Sequence, residues 1–256
     1  MFIDTHTHLY VDAFDVDRNE IIKECLSNSI DKLLLPNIDV DSISPLLALS
    51  KAYPKTCYPM MGLHPCSVDS NYEKELETIK NTLDQGDFIA VGEIGIDLYW
   101  DKSTLHFQEE SFATQIAWAK EKKLPIVIHA RESYDEIFKI LDKLNDDNLS
   151  GIFHCFTGNH KQAEQIINYG NFKLGIGGVA TFKNGGLDNT LKGIPIEHIV
   201  LETDAPYLSP VPFRGKRNKS PYLIYIAEKL SEIYGCKINE IANQTTKNAL
   251  EIFKLD

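Results

Sequence analysis

Nothing in this chain approaches the roughly 20 consecutive apolar residues that a membrane helix needs, so none of its helices is expected to cross a bilayer. The first residues carry no basic stretch ahead of an apolar one, so no cleavable signal peptide is expected and the protein is placed in the cytoplasm. Cysteine is scarce: Cys25, Cys57, Cys66, Cys155 and Cys236 are scattered, odd in number and without a C-x-x-C. That pattern fits reduced, mostly buried thiols and not a disulfide framework. Linkers are missing too. No low-complexity tract, long charge block or Pro/Gly/Ser-rich stretch divides the 256 residues, so residues 1–256 read as one domain. Positive charge is in deficit, with 26 Lys and Arg against 37 Asp and Glu and a formal net charge of -11. This excludes a broad basic surface of the kind that coats nucleic acid. It leaves room for a site that takes in a phosphodiester end, provided bound divalent cations supply the local positive charge.

What is present is an alternation of short apolar runs with amphipathic stretches. Strands are expected at residues 2–5, 32–37, 57–63, 88–92, 125–128, 151–153, 172–176 and 199–202. Helices are expected at 17–29, 43–52, 72–83, 105–122, 134–144, 161–169, 187–191, 222–234 and 239–253. Ile137, Ile140, Leu141 and Leu144 show the helical spacing most plainly. Eight strand-helix units in about 250 residues is the count and size of a (β/α)8 barrel. The fold class is therefore α/β, a single-domain TIM barrel with an extra C-terminal helix. A doubly wound sheet is the rival. It would normally place a glycine-rich phosphate loop after its first strand, where this chain has His6-Thr7-His8.

In a barrel, chemistry gathers at the C-terminal ends of the strands. Read in order, those ends carry His6 and His8, His64, Glu93, His129, His154 and Asp204. The remaining histidines, His106, His160 and His198, fall in expected helices or loops and read as surface residues. Each rim residue alone has an ordinary structural explanation. His6-Thr7-His8 can be a short solvated N-terminus, His129 a satisfied core histidine, Glu93 half of an ion pair with Arg131, and Asp204 a turn residue. Together they do not, because independent structural residues have no reason to collect at one rim. Buried imidazoles and carboxylates in that number need compensation, and metal coordination supplies it. His6, His8, His129, His154, Glu93 and Asp204 are too many ligands for one catalytic ion with an open position. They suit two divalent ions bridged by one carboxylate and by a water or hydroxide. Glu93, on a central strand, is the natural bridge, and Asp204 can orient the attacking water. The mixed nitrogen and oxygen donors accommodate Zn, Mn or, less comfortably, Mg.

Six segments occur in the order of one known family: His6-Thr7-His8, Gly62-Leu63-His64-Pro65, Gly92-Glu93-Ile94-Gly95-Ile96-Asp97, Ile128-His129-Ala130-Arg131, His154-Cys155-Phe156-Thr157-Gly158 and Glu202-Thr203-Asp204-Ala205-Pro206. With the late basic loop Arg214-Gly215-Lys216-Arg217-Asn218, the chain resembles the TatD-like metal-dependent deoxyribonucleases of the amidohydrolase superfamily. The resemblance implies a two-metal hydrolase of DNA phosphodiesters, acting from a 3′ end or on single strands. It carries the metal ligands onto His6, His8, Glu93, His129, His154 and Asp204, with Glu93 and Asp204 as the catalytic carboxylates. It places His64, Arg131, Glu202, Arg214, Lys216, Arg217 and Asn218 near substrate. One departure stands out: the family often has Glu-Pro after Arg-Asn, whereas this chain has Lys219-Ser220-Pro221. Lys219 then either meets phosphate or sits in solvent.

Tyr99, Trp100, Phe156 and Phe213 fall near the expected mouth and can stack on bases as single-strand binders do, although wall packing is the ordinary role of each. DNA is the expected partner, with no membrane and no obligatory protein partner. Two other readings compete. The same barrel can cleave an ester or amide, for example as an aminoacyl-tRNA deacylase, because a bridging hydroxide attacks a carbonyl as readily as a phosphate. A barrel that only binds a partner is the third, against which stands the presence of every proposed ligand.

Overall fold

The structure is a computed structural model and describes residues 1–183 and 185–256. The first half runs β1 (Phe2–Asp4), α1 (Arg18–Ser27), β2 (Ile30–Leu35), α2 (Ile43–Ala52), β3 (Cys57–Pro59), α3 (Tyr72–Gln85), β4 (Val91–Asp97) and α4 (Leu105–Lys122). The second runs β5 (Ile126–Arg131), α5 (Tyr134–Leu144), β6 (Gly151–Phe153), α6 (His160–Asn168), β7 (Phe172–Ile176), α7 (Leu187–Leu191), β8 (Ile199–Leu201), α8 (Leu223–Tyr234) and α9 (Ile238–Phe253). The helices form where one stripe is apolar and the ends are capped. On α3 the buried residues are Tyr72, Leu76, Ile79 and Leu83. At α6, Asn159 and Gln162 exchange side-chain and backbone hydrogen bonds in a capping box.

All strand pairings are parallel, β1-β2-β3 in one ladder and β4-β5-β6-β7-β8 in another. Backbone hydrogen bonds close both seams. Ile89 N–H donates to the Pro59 carbonyl at 3.1 Å and Met61 N–H to that of Ala90 at 3.2 Å, joining β3 to β4. Thr5 N–H donates to the Leu201 carbonyl at 3.0 Å and Asp204 N–H to that of His6 at 2.9 Å, joining β8 to β1. The eight strands therefore make a closed TIM barrel, and no strand edge is left open among the described residues.

One end of the barrel is apolar and sealed. Ile3, Leu34, Met60, Ala90, Val127, Ile152 and Val200 pack together there with Ala249, Ile252 and Phe253 of α9. Each large side chain buried in this way contributes about 1.5–3 kcal/mol. Asn248 fixes the plug by donating to the carbonyls of Ile196 and Ile199, at 2.8 and 2.7 Å. The extra C-terminal helix expected from the sequence thus closes the barrel floor. Polar chemistry is left to the opposite end.

Strand ends differ from the sequence expectation where it matters most. β4 does not stop at Gly92 but continues to Asp97, and β5 continues to Arg131, so Glu93 and His129 lie within strands. All seven residues of β4 are buried, so no change of hydrophobicity marks its end. The β4–β5 register slips between Gly92, opposite Val127, and Ile94, opposite Ile128. The extra residue in that bulge is Glu93, and a bulge is a device for re-aiming one side chain.

Gly95 pairs with His129 and has φ +140°, a backbone conformation closed to most side chains. A Cβ there would run into the His129 carbonyl oxygen. Strain and overpacking of this kind each cost about 1–3 kcal/mol. Gly95→Ala is therefore expected to lower the stability read from the urea-unfolding midpoint by about 2–4 kcal/mol; a midpoint equal to that of the wild type would contradict this account of the β4–β5 approach.

Candidate metal centre

At the open end of the barrel the polar side chains surround the carboxylate of Glu93, which is 2% exposed. Its two oxygens face different partners. Oε2 lies 3.1 Å from His6 Nε2 and 3.8 Å from His8 Nε2. Oε1 lies 2.8 Å from His129 Nδ1 and 3.2 Å from His154 Nε2. Asp204 completes the first group, with Oδ1 3.8 Å from His6 Nε2 and 3.5 Å from His8 Nε2. The six residues expected as ligands from their strand ends thus share one cluster, brought together from β1, β4, β5, β6 and β8 or the residues that follow them.

The outer nitrogens of the imidazoles show which ring atoms are available. Tyr10 donates its hydroxyl proton to the Pro36 carbonyl at 2.6 Å, which leaves its oxygen to accept from His8 Nδ1 at 3.1 Å. His8 Nε2 is the ring nitrogen that faces the cluster. His129 Nε2 lies 2.8 Å from Asp97 Oδ2, and His154 Nδ1 lies 3.0 Å from Glu202 Oε1. A carboxylate behind an imidazole fixes its tautomer and raises its basicity toward a metal. His64 is built the other way. Its Nδ1 accepts from the backbone N–H of Cys66 at 3.0 Å, so its proton sits on Nε2, 3.4 Å from Glu93 Oε1. His64 therefore enters the cluster as a hydrogen-bond donor, although its distances alone would admit it as a ligand.

The electrostatics follow from this crowding. Burial pushes the Glu93 carboxyl up, but the charges of His154, His6 and His64 and a hydrogen bond from His129 outweigh it and hold the group well below its usual range. Burial likewise opposes ionisation of Asp204, and the hydrogen bond from His8 with the nearby imidazoles overcomes it. Burial would neutralise His154, yet Glu93 and Glu202 raise its imidazole well above the ordinary value. Protons on imidazoles here do what a cation does: they compensate carboxylates removed from water. His6 Nδ1 and Glu202 Oε2 are buried without a hydrogen-bond partner among the described residues.

The donor set fits a divalent metal. A tetrahedral ion with bonds of about 2.0–2.1 Å has ligand atoms roughly 3.3–3.4 Å apart. Around His6 Nε2, His8 Nε2, Glu93 Oε2 and Asp204 Oδ1 the recorded separations run from 3.1 to 3.8 Å, with 3.2 Å between the two imidazole nitrogens. Thiols add nothing to this set. Cys66 lines the cavity, but burial pushes it up to about 12.

The cluster opens into a cavity of about 710 Å³ lined by His64, Asp97, Trp100, Arg131, Tyr207 and Leu208 besides the ligands. Arg131 stands at this mouth. The late basic loop is not among the described residues that line it, and its two arginines are engaged elsewhere. Arg217 pairs with Asp17 and packs over the Phe14 ring at 4.8 Å. Arg214 lies over the Phe182 ring at 4.1 Å, and Lys216 is exposed, its carbonyl accepting from Ser209. Asn218 is buried and donates to the carbonyls of Thr203 and Tyr207 at 2.7 and 2.6 Å, so it braces the segment that carries Asp204. Lys219 is half-buried and pairs with Glu24 at 2.7 Å. Glu202 is fully buried behind His154, and a side chain at Gly175 would collide with its carboxylate. Phe156 is buried, and Phe213 stacks on Tyr222 at 4.0 Å, so both pack into the protein. The residues that sequence reasoning missed are Asp97, Tyr10 and Tyr207. Asp97 had a signal, since it follows Glu93 at an even spacing on a strand and so shares its face.

Comparison with known proteins agrees with this geometry. The family model described as TatD related DNase matches residues 3–254. A Bacillus subtilis (strain 168) protein, named uncharacterized metal-dependent hydrolase YabD, is 36% identical over 257 residues, covering 100% of each chain. A Pectobacterium carotovorum protein, named 3'-5' ssDNA/RNA exonuclease TatD, is 28% identical over 258 residues, covering 98% of this chain and 99% of its own. The crystal structure of YjjV, a TatD homologue from Escherichia coli K12, matches with a TM-score of 0.93 at 27% identity, covering 100% of this chain and 98% of its own. The chain belongs to the TatD-related DNase family, metal-dependent hydrolases built on the TIM barrel.

Proposed function

We propose that the protein hydrolyses phosphodiester bonds of single-stranded DNA from the 3′ end, using two divalent cations that His6, His8, Glu93, His129, His154 and Asp204 would hold. The observation that carries the metal count is the splitting of donors between the two Glu93 oxygens, His6, His8 and Asp204 on one side and His129 and His154 on the other. The name of the Pectobacterium relative supports the substrate class and polarity. Two such ions, when bound, lower the pKa of water and neutralise charge on a phosphate. Zn or Mn suits the nitrogen-rich donors better than Mg does. The five unpaired cysteines support a reducing, cytoplasmic setting.

The chain's own groups do the rest. Asp204 is held by its backbone hydrogen bond to His6 and is ionised, so its carboxylate can take the proton that the attacking water gives up. Asp97 and Glu202 keep His129 and His154 oriented. His64 Nε2–H faces the cavity as a donor for a phosphate oxygen or the departing alkoxide, and Arg131 offers its guanidinium at the mouth. Water adds to phosphorus, the P–O bond to the leaving sugar breaks, and the products are a nucleotide monophosphate and a shortened strand with a free 3′ hydroxyl.

Metal-supplemented protein should carry about two equivalents of metal, and EDTA should abolish cleavage. His129→Ala and Asp204→Ala should each lower kcat/KM by roughly a thousandfold, about 4 kcal/mol; full activity in either folded variant would sink the assignment. His64→Ala separates donor from ligand: it should keep both equivalents of metal while losing activity, and loss of one equivalent would return His64 to the ligands. Polarity is read with phosphorothioate linkages. A strand blocked at its 3′ end should survive and one blocked at its 5′ end should be degraded, whereas equal degradation of both would exclude a 3′ exonuclease.

A further inference from the structure

We propose that Trp100 is a platform on which one base of a single-stranded nucleic acid stacks at the cavity mouth, beside an Arg131 guanidinium braced on Tyr99. This rests on the single-strand reading above and names how the strand is held. Trp100 lines the cavity yet is 72% exposed, and Tyr99 is 50% exposed. Aromatic side chains of this size ordinarily bury most of their surface, because burial is their main contribution to stability. Phe156 and Phe213, the other aromatics expected near the mouth, do so; Tyr99 and Trp100 do not.

The pair is exposed without being loose. The backbone N–H groups of Tyr99 and Trp100 both donate to Asp97 Oδ1, at 2.9 and 3.4 Å, while Asp97 Oδ2 receives His129 Nε2 at 2.8 Å. One carboxylate therefore fixes the aromatic turn and a metal-site imidazole relative to each other. The Tyr99 and Trp100 rings meet edge to face, with centroids 4.8 Å apart and planes at 90°. The Arg131 guanidinium lies 3.8 Å from the Tyr99 centroid and 5.6 Å from that of Trp100. Stacking occupies the face of the cation and leaves its in-plane N–H donors for an anion alongside. An exposed indole face beside an anchored guanidinium matches a nucleotide unit, base on ring and phosphate on cation. It matches a bare phosphate ester poorly, since such a ligand has no use for the ring.

The chain has two tryptophans, Trp100 and the partly buried Trp118. In metal-loaded Trp118→Phe protein, Trp100 fluorescence reports binding directly. The probes are an oligothymidylate of about eight nucleotides with uncleavable phosphorothioate linkages, and the same backbone made abasic throughout. The thymidylate strand should quench Trp100, and the abasic strand, with equal charge, should bind at least roughly tenfold more weakly. Trp100→Ala in the otherwise unaltered protein should lose roughly tenfold in affinity for thymidylate, measured by anisotropy of a labelled strand, and nothing for the abasic strand. Trp100→Phe should retain most of the binding, which separates stacking from a folding defect. Equal affinity for the two strands, or thymidylate binding indifferent to Trp100→Ala, overturns the platform even if the enzyme cleaves DNA. Quenching by thymidylate and the lost thymidylate affinity of Trp100→Ala, in a protein that cleaves no nucleic acid, uphold the platform while the hydrolytic reading fails.

Discussion

The structure depends on keeping the Glu93 carboxylate ionised out of water. An isolated carboxylate in an apolar interior costs several kcal/mol and normally takes a proton instead. Here both oxygens are met by imidazoles arriving from other strands, and the group is held well below its usual range in spite of burial. That requirement reaches into the backbone. The bulge aims Glu93 inward, and Gly95 lets β4 come close enough to β5 for His129 to reach it. The same convergence that solves the burial problem produces a ligand shell.

Around that centre, three of the imidazoles have a polar group behind them. Tyr10 holds the proton of His8 on its outer nitrogen, Asp97 does so for His129, and Glu202 stands behind His154. His64 has a backbone N–H in the same position and is thereby turned into a donor. Imidazoles of one residue type are thus set to different tasks where an outer partner is present, His8 and His129 facing an oxygen that accepts and His64 a backbone N–H. Asn218 and Asp4 extend the support to the Asp204 segment. Asn218 holds the Thr203 and Tyr207 carbonyls, and Asp4 accepts from Thr203 N–H and hydroxyl at 2.9 and 2.6 Å, tying β1 to the residues after β8.

Strand order, helix order and the plug helix were legible because their signals are local: apolar runs for buried strands and a helical stripe for each crossover. The clustering of His6, His8, Glu93, His129, His154 and Asp204 was legible because a barrel sends its strand ends to one rim. Strand limits were not, since a strand buried along its whole length, as β4 is, gives no alternation to count. Nor were the partners of charges. Arg217 and Lys219 read as candidates for phosphate, but Asp17 and Glu24, some two hundred residues away in the chain, take them up. A charge in a sequence has a sign and no address. Asp97 was passed over for a different reason: its spacing from Glu93 puts it on the same face, but its work is done on other residues.

The charge balance then limits how a polyanion can be held. Arg131 is the one Lys or Arg side chain among the described residues that line the cavity, within a protein of formal net charge -11. A long electrostatic track, which needs many phosphate contacts, is not built here. What the mouth offers is local: a cluster able to hold metal inside, one guanidinium at the edge, and an exposed indole next to it. Such a site favours a chain end over a contour, because an end can reach the cluster while only its neighbouring nucleotide touches the rim. Duplex is disfavoured for the same reason, since paired bases keep their faces in their own stack and leave none for Trp100. If the proposed activity on single-stranded ends holds, the narrow supply of positive charge is a physical source of that selectivity, and the acidic composition becomes part of it.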